Sequence, residues 1–218
     1  MKQKELVIET PTLEQVEFYL KEWDKQDNYV LQENSLRKLF RETYPKNQEI
    51  DDVLIKVCSL NDFYSTNIYY VFDVAKHIIE LDIDKRLEKG DVSLVNEIAL
   101  NKVKAKDKDS DEMKEKKINY YSFASKYCSH HKPKEFPIYD SYVEKILLYF
   151  RGKDKFYSFK NEELKDYPKY KEILIQFSKH YKLEQYDLKQ LDRYLWQLGK
   201  KYFNPYENSI NKLKTETL

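Results

Sequence analysis

The sequence predicts an all-α protein, an orthogonal assembly of about eight to ten helices. Glycine is scarce, with 3 copies in 218 residues, against an average usage of about 7%. Sheet-rich folds need glycine in tight hairpin turns and at bulges, so this scarcity argues against them. Apolar residues instead recur at intervals of three and four positions, which is the period of one buried helix face. Phosphate-cradling loops also need glycine, so P-loop and Rossmann nucleotide sites are excluded.

Helix-start signals place the predicted helices along the chain. A capping box over Thr12-Leu13-Glu14-Gln15 opens a helix that extends to about Asp24. The run Ser65-Thr66-Asn67 offers N-caps for a helix over residues 68–79, whose apolar residues share one face. The other predicted helices are at residues 34–44, 50–58, from about 91, 118–131, 141–150, 162–181 and 187–200.

Residues 101–117 differ in composition from the rest of the chain. They are dense in charges of both signs and lack aromatic residues. This composition predicts an exposed charged connector, either a helix end or a mobile loop. Residues 1–218 are otherwise predicted to form a single all-α unit, or two subdomains whose N- and C-terminal helices pack together.

The charge is balanced overall but uneven along the chain. The formal net charge is +1, which by itself predicts no polyanionic partner. Residues 118–160 carry eight lysine and arginine residues against four acidic residues, a net charge of +4. A locally basic centre of this kind indicates either a nucleic-acid-binding face or an ordinary solvated surface, and charge alone does not separate the two.

The cysteines and histidines do not form a metal-binding pattern. Cys58 and Cys128 lie far apart without CxxC spacing, so neither a disulfide framework nor a cysteine-rich zinc site follows. His130 and His131 are neighbours, and on a helix neighbours diverge by about 100°, which prevents them from easily sharing one ion with Cys128. We therefore expect no metal and no cofactor.

The sequence predicts neither a signal peptide nor a membrane-spanning segment. Its first fifteen residues, MKQKELVIETPTLEQ, contain no apolar run of the signal-peptide type, and no stretch approaches 18 apolar residues. We expect a cytoplasmic protein without a membrane partner.

The segment over residues 122–141 stands apart because an aspartate follows a helix and a two-proline turn. Ser141 and Glu144 fit the S-x-x-E capping pattern, which would leave Asp140 just before the cap, next to unpaired backbone N–H groups. Alternatively, Asp140 is itself the N-cap, with no further role. Lys126 lies on the preceding helix, and the turn can fold it back towards Asp140.

This segment resembles the helix-hairpin-helix DNA glycosylases, especially the 8-oxoguanine type. In those enzymes a helix with the catalytic lysine leads through a K-P-x-x-x-P-V turn to the catalytic aspartate. Lys132-Pro133, Pro137-Ile138 and Asp140 match that turn with one extra residue before the aspartate. The stretch over residues 58–67 is similar to the L-S-x-Q-x-T start of an early helix in the same superfamily. The two stretches cover under a fifth of the chain.

The resemblance implies a base-excision glycosylase and lyase that acts on damaged or modified DNA. Lys126 would attack the sugar C1′ of a flipped nucleotide and form a Schiff base, while Asp140 would stabilise the positive charge on the sugar. It also implies an orthogonal helical fold of the glycosylase type, with a role in DNA repair. The residues that it places against DNA are Asn61, Tyr64, Ser65, Tyr120, Tyr121, Ser125, His130, His131, Lys132 and Lys134.

One departure from the family concerns its grip on DNA. Residues 119–124 stand where the family has a glycine-rich hairpin, and they contain no glycine. The alternative to an enzyme is a non-catalytic helical module that binds nucleic acid or another protein.

Overall fold

The computed structural model describes residues 6–106 and 113–204, and this part of the chain is mostly helical. It contains ten α-helices, which confirms the predicted all-α multi-helix class. The helices are α1 (Leu13–Asp24), α2 (Asp27–Lys38), α3 (Ile50–Tyr64), α4 (Val71–Glu80), α5 (Asp84–Glu88), α6 (Leu94–Ala99), α7 (Tyr121–His131), α8 (Ser141–Asp154), α9 (Tyr167–His180) and α10 (Leu188–Phe203). A π-helical turn at Leu39–Thr43 continues α2, and a 3-10 turn at Asn161–Lys165 precedes α9.

Capping residues account for where several helices begin and end. The Thr12 hydroxyl accepts a hydrogen bond from the Gln15 N–H (3.2 Å), so α1 begins where the sequence predicts. Asp187 caps α10 in the same way through Gln190. Ser65 adopts a left-handed conformation with φ of 48° and ends α3, which is six residues longer than predicted.

The second helix begins earlier than predicted. It was expected from Asn34, but α2 starts at Asp27. The prediction missed the first turns because they are mostly polar and give no apolar stripe to detect. The π-helical turn that follows ends before Pro45 and brings Phe40 fully into the core. The expected helix at 162–181 is likewise divided, since a 3-10 turn and α9 occupy that range.

The described residues of the charged segment, 101–106 and 113–117, are strands, so the prediction of a helix end or a mobile loop is wrong for them. Its two sides form an antiparallel hairpin of β1 (Leu100–Lys106) and β2 (Met113–Asn119), in a register from Leu100 opposite Asn119 to Lys106 opposite Met113. Asn101 and Val103 are buried, while Lys102 and Lys104, which alternate with them, are exposed. This alternation of period two is the strand signal that the high charge density obscured. Residues 107–112 lie outside the described part.

Helix α7 is the central helix of the core. Every residue of α7 except Ser122 and His131 is buried, as expected for a helix with neighbours on all sides. Helices α2, α3 and α6 pack against it, and α10 packs against both α1 and α8. At the α8–α10 contact, a Cβ atom added to Gly199 would lie 2.7 Å from the backbone oxygen of Tyr142. The two backbones therefore approach too closely for any larger residue at this position.

No helix in the described residues is both long and apolar enough to cross a lipid bilayer.

Candidate active site

The turn between α7 and α8 brings Lys126 and Asp140 together. The Lys126 amine lies 4.0 Å from Oδ2 of Asp140. It also donates hydrogen bonds to the Ser122 hydroxyl (2.5 Å) and to the backbone oxygen of Tyr139 (3.2 Å). Lys126 is only 3% exposed, and its amine lies 5.3 Å from the centre of the Tyr64 ring. Lys126 and Asp140, the nucleophile and the carboxylate that the family resemblance implies, therefore lie next to each other.

Buried hydrogen bonds hold the turn in this position. The Ser125 hydroxyl accepts a hydrogen bond from the Tyr139 N–H (3.0 Å), which ties the end of the turn back to α7. From α9, the Tyr167 and Tyr170 hydroxyls donate to the backbone oxygens of Pro137 and Ile138, each at 2.6 Å. The turn is therefore fixed on two sides, and the position of Asp140 relative to Lys126 is defined by the fold.

Asp140 is the N-cap of α8, so the alternative in which Ser141 caps the helix is wrong. Oδ1 of Asp140 accepts a hydrogen bond from the Tyr142 N–H (2.8 Å), while Oδ2 faces Lys126. Glu144 does not act as a capping partner, because its carboxylate accepts a hydrogen bond from the Tyr139 hydroxyl and pairs with Lys165 (3.2 Å). The capping hydrogen bond uses only Oδ1 and restricts the rotation of the carboxylate, so Oδ2 stays directed at the amine.

Lys126 and Asp140 both line a partly open cavity of about 180 Å³. Its walls come from α1, α2, α3, α7, α10 and the turn before α8. Aromatic rings form much of these walls: Trp23, Tyr29, Phe63, Tyr64 and Trp196. Charged side chains complete them: Glu33, Lys126, Asp140, Lys189, Asp192 and Arg193.

The charged groups of the cavity are connected by ion pairs. Glu33 pairs with Arg193 at 2.7 Å and with Lys189 at 3.6 Å, and Lys189 also lies 3.5 Å from Asp192. Burial acts to raise the pKa of Glu33, but Lys189 and Arg193 outweigh it, and the pKa is lowered overall. Glu33 is therefore ionised at neutral pH.

Two cavity groups have pKa values moved towards neutrality. Burial lowers the pKa of Lys126, against the opposing attraction of Asp140 and Asp192. Burial also raises the pKa of Asp192 to about 6, although Lys189 opposes this shift. Groups with pKa values shifted by burial in a cleft mark candidate catalytic sites.

Tyr64 lies next to Lys126 and contacts His130 behind the cavity wall. The Tyr64 hydroxyl and Nε2 of His130 lie 3.0 Å apart, and Arg41 donates to the backbone oxygen of His130 (2.8 Å). Burial lowers the pKa of His130, with Lys189 and Arg41 adding to the effect, so the ring is neutral. Of the residues predicted to contact DNA, Tyr64 is the one that lines the cavity.

The other residues predicted to contact DNA lie outside the cavity. Asn61 braces the chain after α3 through bonds to Thr66 and Ile68. Ser125 and Tyr121 are buried, and His131 bonds to Asn47 (3.2 Å). Tyr120 is half-buried at the start of α7, while Ser65, Lys132 and Lys134 are exposed. The residues lining a neighbouring groove include His130 and Lys134.

Sequence reasoning missed the residues that α1, α2 and α10 contribute to the cavity. Asp192 was detectable, because it lies four residues after Leu188 and next to the stripe of Leu191, Leu195 and Leu198. A carboxylate beside an apolar helix face is unusual, since an unpaired buried charge is costly. The rings of Trp23 and Trp196 gave no signal that separated them from ordinary core residues. Within residues 6–106 and 113–204, no group of three or more His, Cys, Asp or Glu side chains could hold a metal ion.

The fold and the cavity define a helical protein whose buried amine and carboxylate share one aromatic cavity. Residues 15–135 match the family described as HI_0787_N, N-terminal domain. A Haemophilus influenzae protein described as an uncharacterized protein is 48% identical over 160 residues, which cover 73% of this chain and 72% of the relative. The chain therefore belongs to the HI_0787_N family. No solved structure matches it.

Proposed function

We propose that the protein is a DNA base-excision glycosylase and lyase that acts on a damaged or modified base. The observation that supports this function is the approach of the Lys126 amine to the Asp140 carboxylate, 4.0 Å apart, on the wall of one aromatic cavity. An amine nucleophile beside a carboxylate is the pair required to attack a sugar carbon that develops positive charge.

The surroundings of each group suit its part in the reaction. A lysine attacks only as the neutral amine, and burial lowers the pKa of Lys126 towards that form. The Lys126 nitrogen would bond to C1′ while the bond from C1′ to the base breaks. Oδ2 of Asp140 would stabilise the charge on the sugar, and the bond from Tyr142 to Oδ1 holds the carboxylate in place beforehand.

The cavity suits one flat group rather than a large ligand. Its volume of about 180 Å³ is below the range of about 300–1,000 Å³ typical of drug-sized ligands. Base-excision enzymes take the target nucleotide out of the duplex, so only the base and its sugar need to enter. The rings of Tyr29, Tyr64 and Trp196 provide faces on which a base can stack.

A basic groove beside the cavity favours contact with the DNA backbone. It is lined by Arg37, Arg41 and Lys134, and it shares Lys189 and Arg193 with the cavity. Guanidinium groups bind phosphate in a bidentate manner, which positions a duplex without reading its sequence. This groove offers a DNA contact that needs no glycine-rich hairpin.

Borohydride trapping tests the proposed function. The protein is incubated with duplexes that contain an abasic site or 8-oxoguanine, and reduction should link it covalently to DNA through Lys126. Lys126→Ala should remove the adduct, because no other amine lines the cavity close to Asp140 except that of Lys189, which is engaged with two carboxylates. Peptide mapping of the wild-type adduct should identify Lys126.

Lys56 is a matched internal control for this mapping. It is also fully buried, and burial lowers its pKa to about 8. Its amine, however, donates to the backbone oxygens of Tyr44 and Lys46 and to Asn47, away from the cavity. An adduct on Lys56, or no adduct and no excision with either duplex, would contradict the proposal and favour a non-catalytic binding module.

A further inference from the structure

We propose that Asp192 is the proton donor of this site, passing a proton to the oxygen or nitrogen that leaves when the Lys126 amine bonds to the sugar. This inference rests on the proposed function and adds a third residue to its chemistry. It stands on the position of Asp192 in the same cavity as Lys126 and Asp140.

The geometry separates Asp192 from the other two cavity carboxylates. Oδ1 of Asp140 is taken by the Tyr142 N–H and its Oδ2 faces Lys126, while Glu33 is held by Arg193 and Lys189. Asp192 has an ion pair with Lys189 at 3.5 Å, and no hydrogen bond reaches its carboxylate from the described residues. Its side chain is only 10% exposed. It is the cavity acid most free to exchange a proton.

The charges around Asp192 leave it able to carry a proton near neutral pH. Its pKa is raised to about 6, with burial as the largest cause; the neighbouring carboxylates Asp140 and Glu33 add to the increase, while Lys189 and Lys126 oppose it. Arg193, one residue along α10, is engaged with Glu33. The phenols of Tyr64 and Tyr170 also face this region, and burial keeps both neutral by raising their pKa values. A general acid works best when its pKa lies near the working pH.

The proton transfers balance at an abasic site. The neutral Lys126 nitrogen adds to the C1′ aldehyde carbon, the C=O π-bond opens, and a proton moves from nitrogen to oxygen to give a carbinolamine. The C–O bond then breaks, the hydroxyl takes the proton of the Asp192 carboxyl and leaves as water, and the nitrogen lone pair forms the iminium bond. Asp192 is left as a carboxylate and regains a proton from water.

The same donor serves base excision. There the electron pair of the C1′–N bond passes to the base nitrogen, which takes the Asp192 proton. The Lys126 nitrogen becomes a positively charged secondary amine, and the Asp192 carboxylate then accepts a proton from it. The acid is therefore restored without another group from the protein.

Cyanoborohydride trapping on a duplex with an abasic site tests this inference without knowledge of the natural lesion. For the wild type, the trapping rate should fall as the pH rises above about 6, because Asp192 loses its proton there. Asp192→Asn should slow trapping by about 100-fold and remove this alkaline limb. Asp192→Glu should restore part of the rate. Asp51→Asn, which neutralises an exposed carboxylate of α3, should leave both the rate and the limb unchanged.

Lys189→Met separates a chemical role of Asp192 from a structural one, because a purely structural role would not change the pH of the alkaline limb. Removal of the cation that lowers the pKa of Asp192 should shift the alkaline limb to higher pH. This shift also decides the matter if Asp192→Asn fails to fold in a circular dichroism melt. The inference would be overturned if Asp192→Asn were trapped at the same rate as the wild type. It would also be overturned if Lys189→Met left the alkaline limb of the pH profile at the same pH. An absence of trapping with the wild type itself would instead overturn the proposed function, and this inference with it.

Discussion

At the scale of single residues, Asp140 combines a structural role with the chemical role proposed above. One carboxylate oxygen caps α8 and the other faces Lys126. A cap of this kind stabilises a helix by about 1 kcal/mol, and the same bond restricts the rotation of the carboxylate. Pre-organisation of the charged group thus comes from an ordinary local feature of helix formation. The loss of folding stability caused by the site comes instead from buried charged groups that have no such hydrogen bond.

Asp192→Asn should make the protein more stable at neutral pH, and this is a test separate from activity. The folded-state pKa of Asp192 is raised from 3.8 to about 6, so its contribution to stability is fully present below the unfolded value and is lost as pH rises through the folded value. An amide does not titrate. The difference in unfolding free energy should therefore grow from pH 4 to about pH 7, by up to about 3 kcal/mol, and then stay constant. Urea melts at several pH values measure it.

A difference in unfolding free energy that does not change with pH would show that folding does not raise the pKa of Asp192. The same melts on Asp51→Asn, whose carboxylate is exposed, provide the control and should show little dependence.

Lys126 and Asp140 could be identified from the sequence because they lie close together in it, on one helix and at the end of the turn that follows. The two proline residues and the capping position of Asp140 are visible in the letters of the sequence. Asp192 and Trp196 reach the cavity from a helix about fifty residues further along, and no local pattern encodes that contact. The place of Asp192 beside an apolar stripe is visible in the sequence, but the cavity that it enters is known only from the packing of distant helices.

At the scale of the elements, the contact between α8 and α10 determines where Asp192 and Trp196 lie. Gly199 allows the two helices to approach until their backbones nearly touch at Tyr142. Helices with clear apolar stripes, such as α10, were predicted to within a few residues. The hairpin and α2 were not, because solvent-exposed charges hid the alternation in one and a polar first half hid the stripe in the other.

Gly199→Ala should destabilise the protein by about 1–3 kcal/mol. The added methyl group would lie 2.7 Å from both the Cβ atom and the backbone oxygen of Tyr142, and a backbone atom cannot move aside as a flexible side chain can. Thermal melting monitored by circular dichroism measures the loss.

Gly152→Ala is the matched control for this change. Gly152 lies in α8, and nothing lies within 4 Å of the position that a Cβ atom would take. Alanine favours the helix over glycine by up to about 1 kcal/mol, so this variant should be as stable as the wild type or more stable. Equal effects of the two substitutions would contradict the close approach of α8 and α10.

At the scale of the whole molecule, the cavity is built from both halves of the chain. The part that matches the family description, residues 15–135, supplies Trp23, Glu33, Tyr64 and Lys126. Asp140 and the α10 residues come from beyond it. The buried side chains form one cluster that extends from Ile8 to Leu198, so the parts share a common core.

A chain that ends at residue 186 should not fold cooperatively. It lacks α10, whose Leu191, Tyr194, Leu195 and Leu198 are at most 2% exposed. Burial of each such side chain contributes about 1.5–3 kcal/mol, and their sum is comparable to the whole stability of a typical domain, about 5–15 kcal/mol. Urea melts followed by circular dichroism test this, with a chain that ends at residue 204 and retains α10 as the control. A cooperative transition in the shorter chain would contradict it.

The late position of α10 has a consequence for protein synthesis. A ribosome completes Lys126 long before it adds Asp192 and Trp196, and until α10 docks, one wall that excludes water from the amine is missing. A hydrated lysine is mostly protonated at neutral pH and is therefore a weak nucleophile. We therefore expect the reactivity proposed for Lys126 to arise only after α10 has docked against the rest of the cavity.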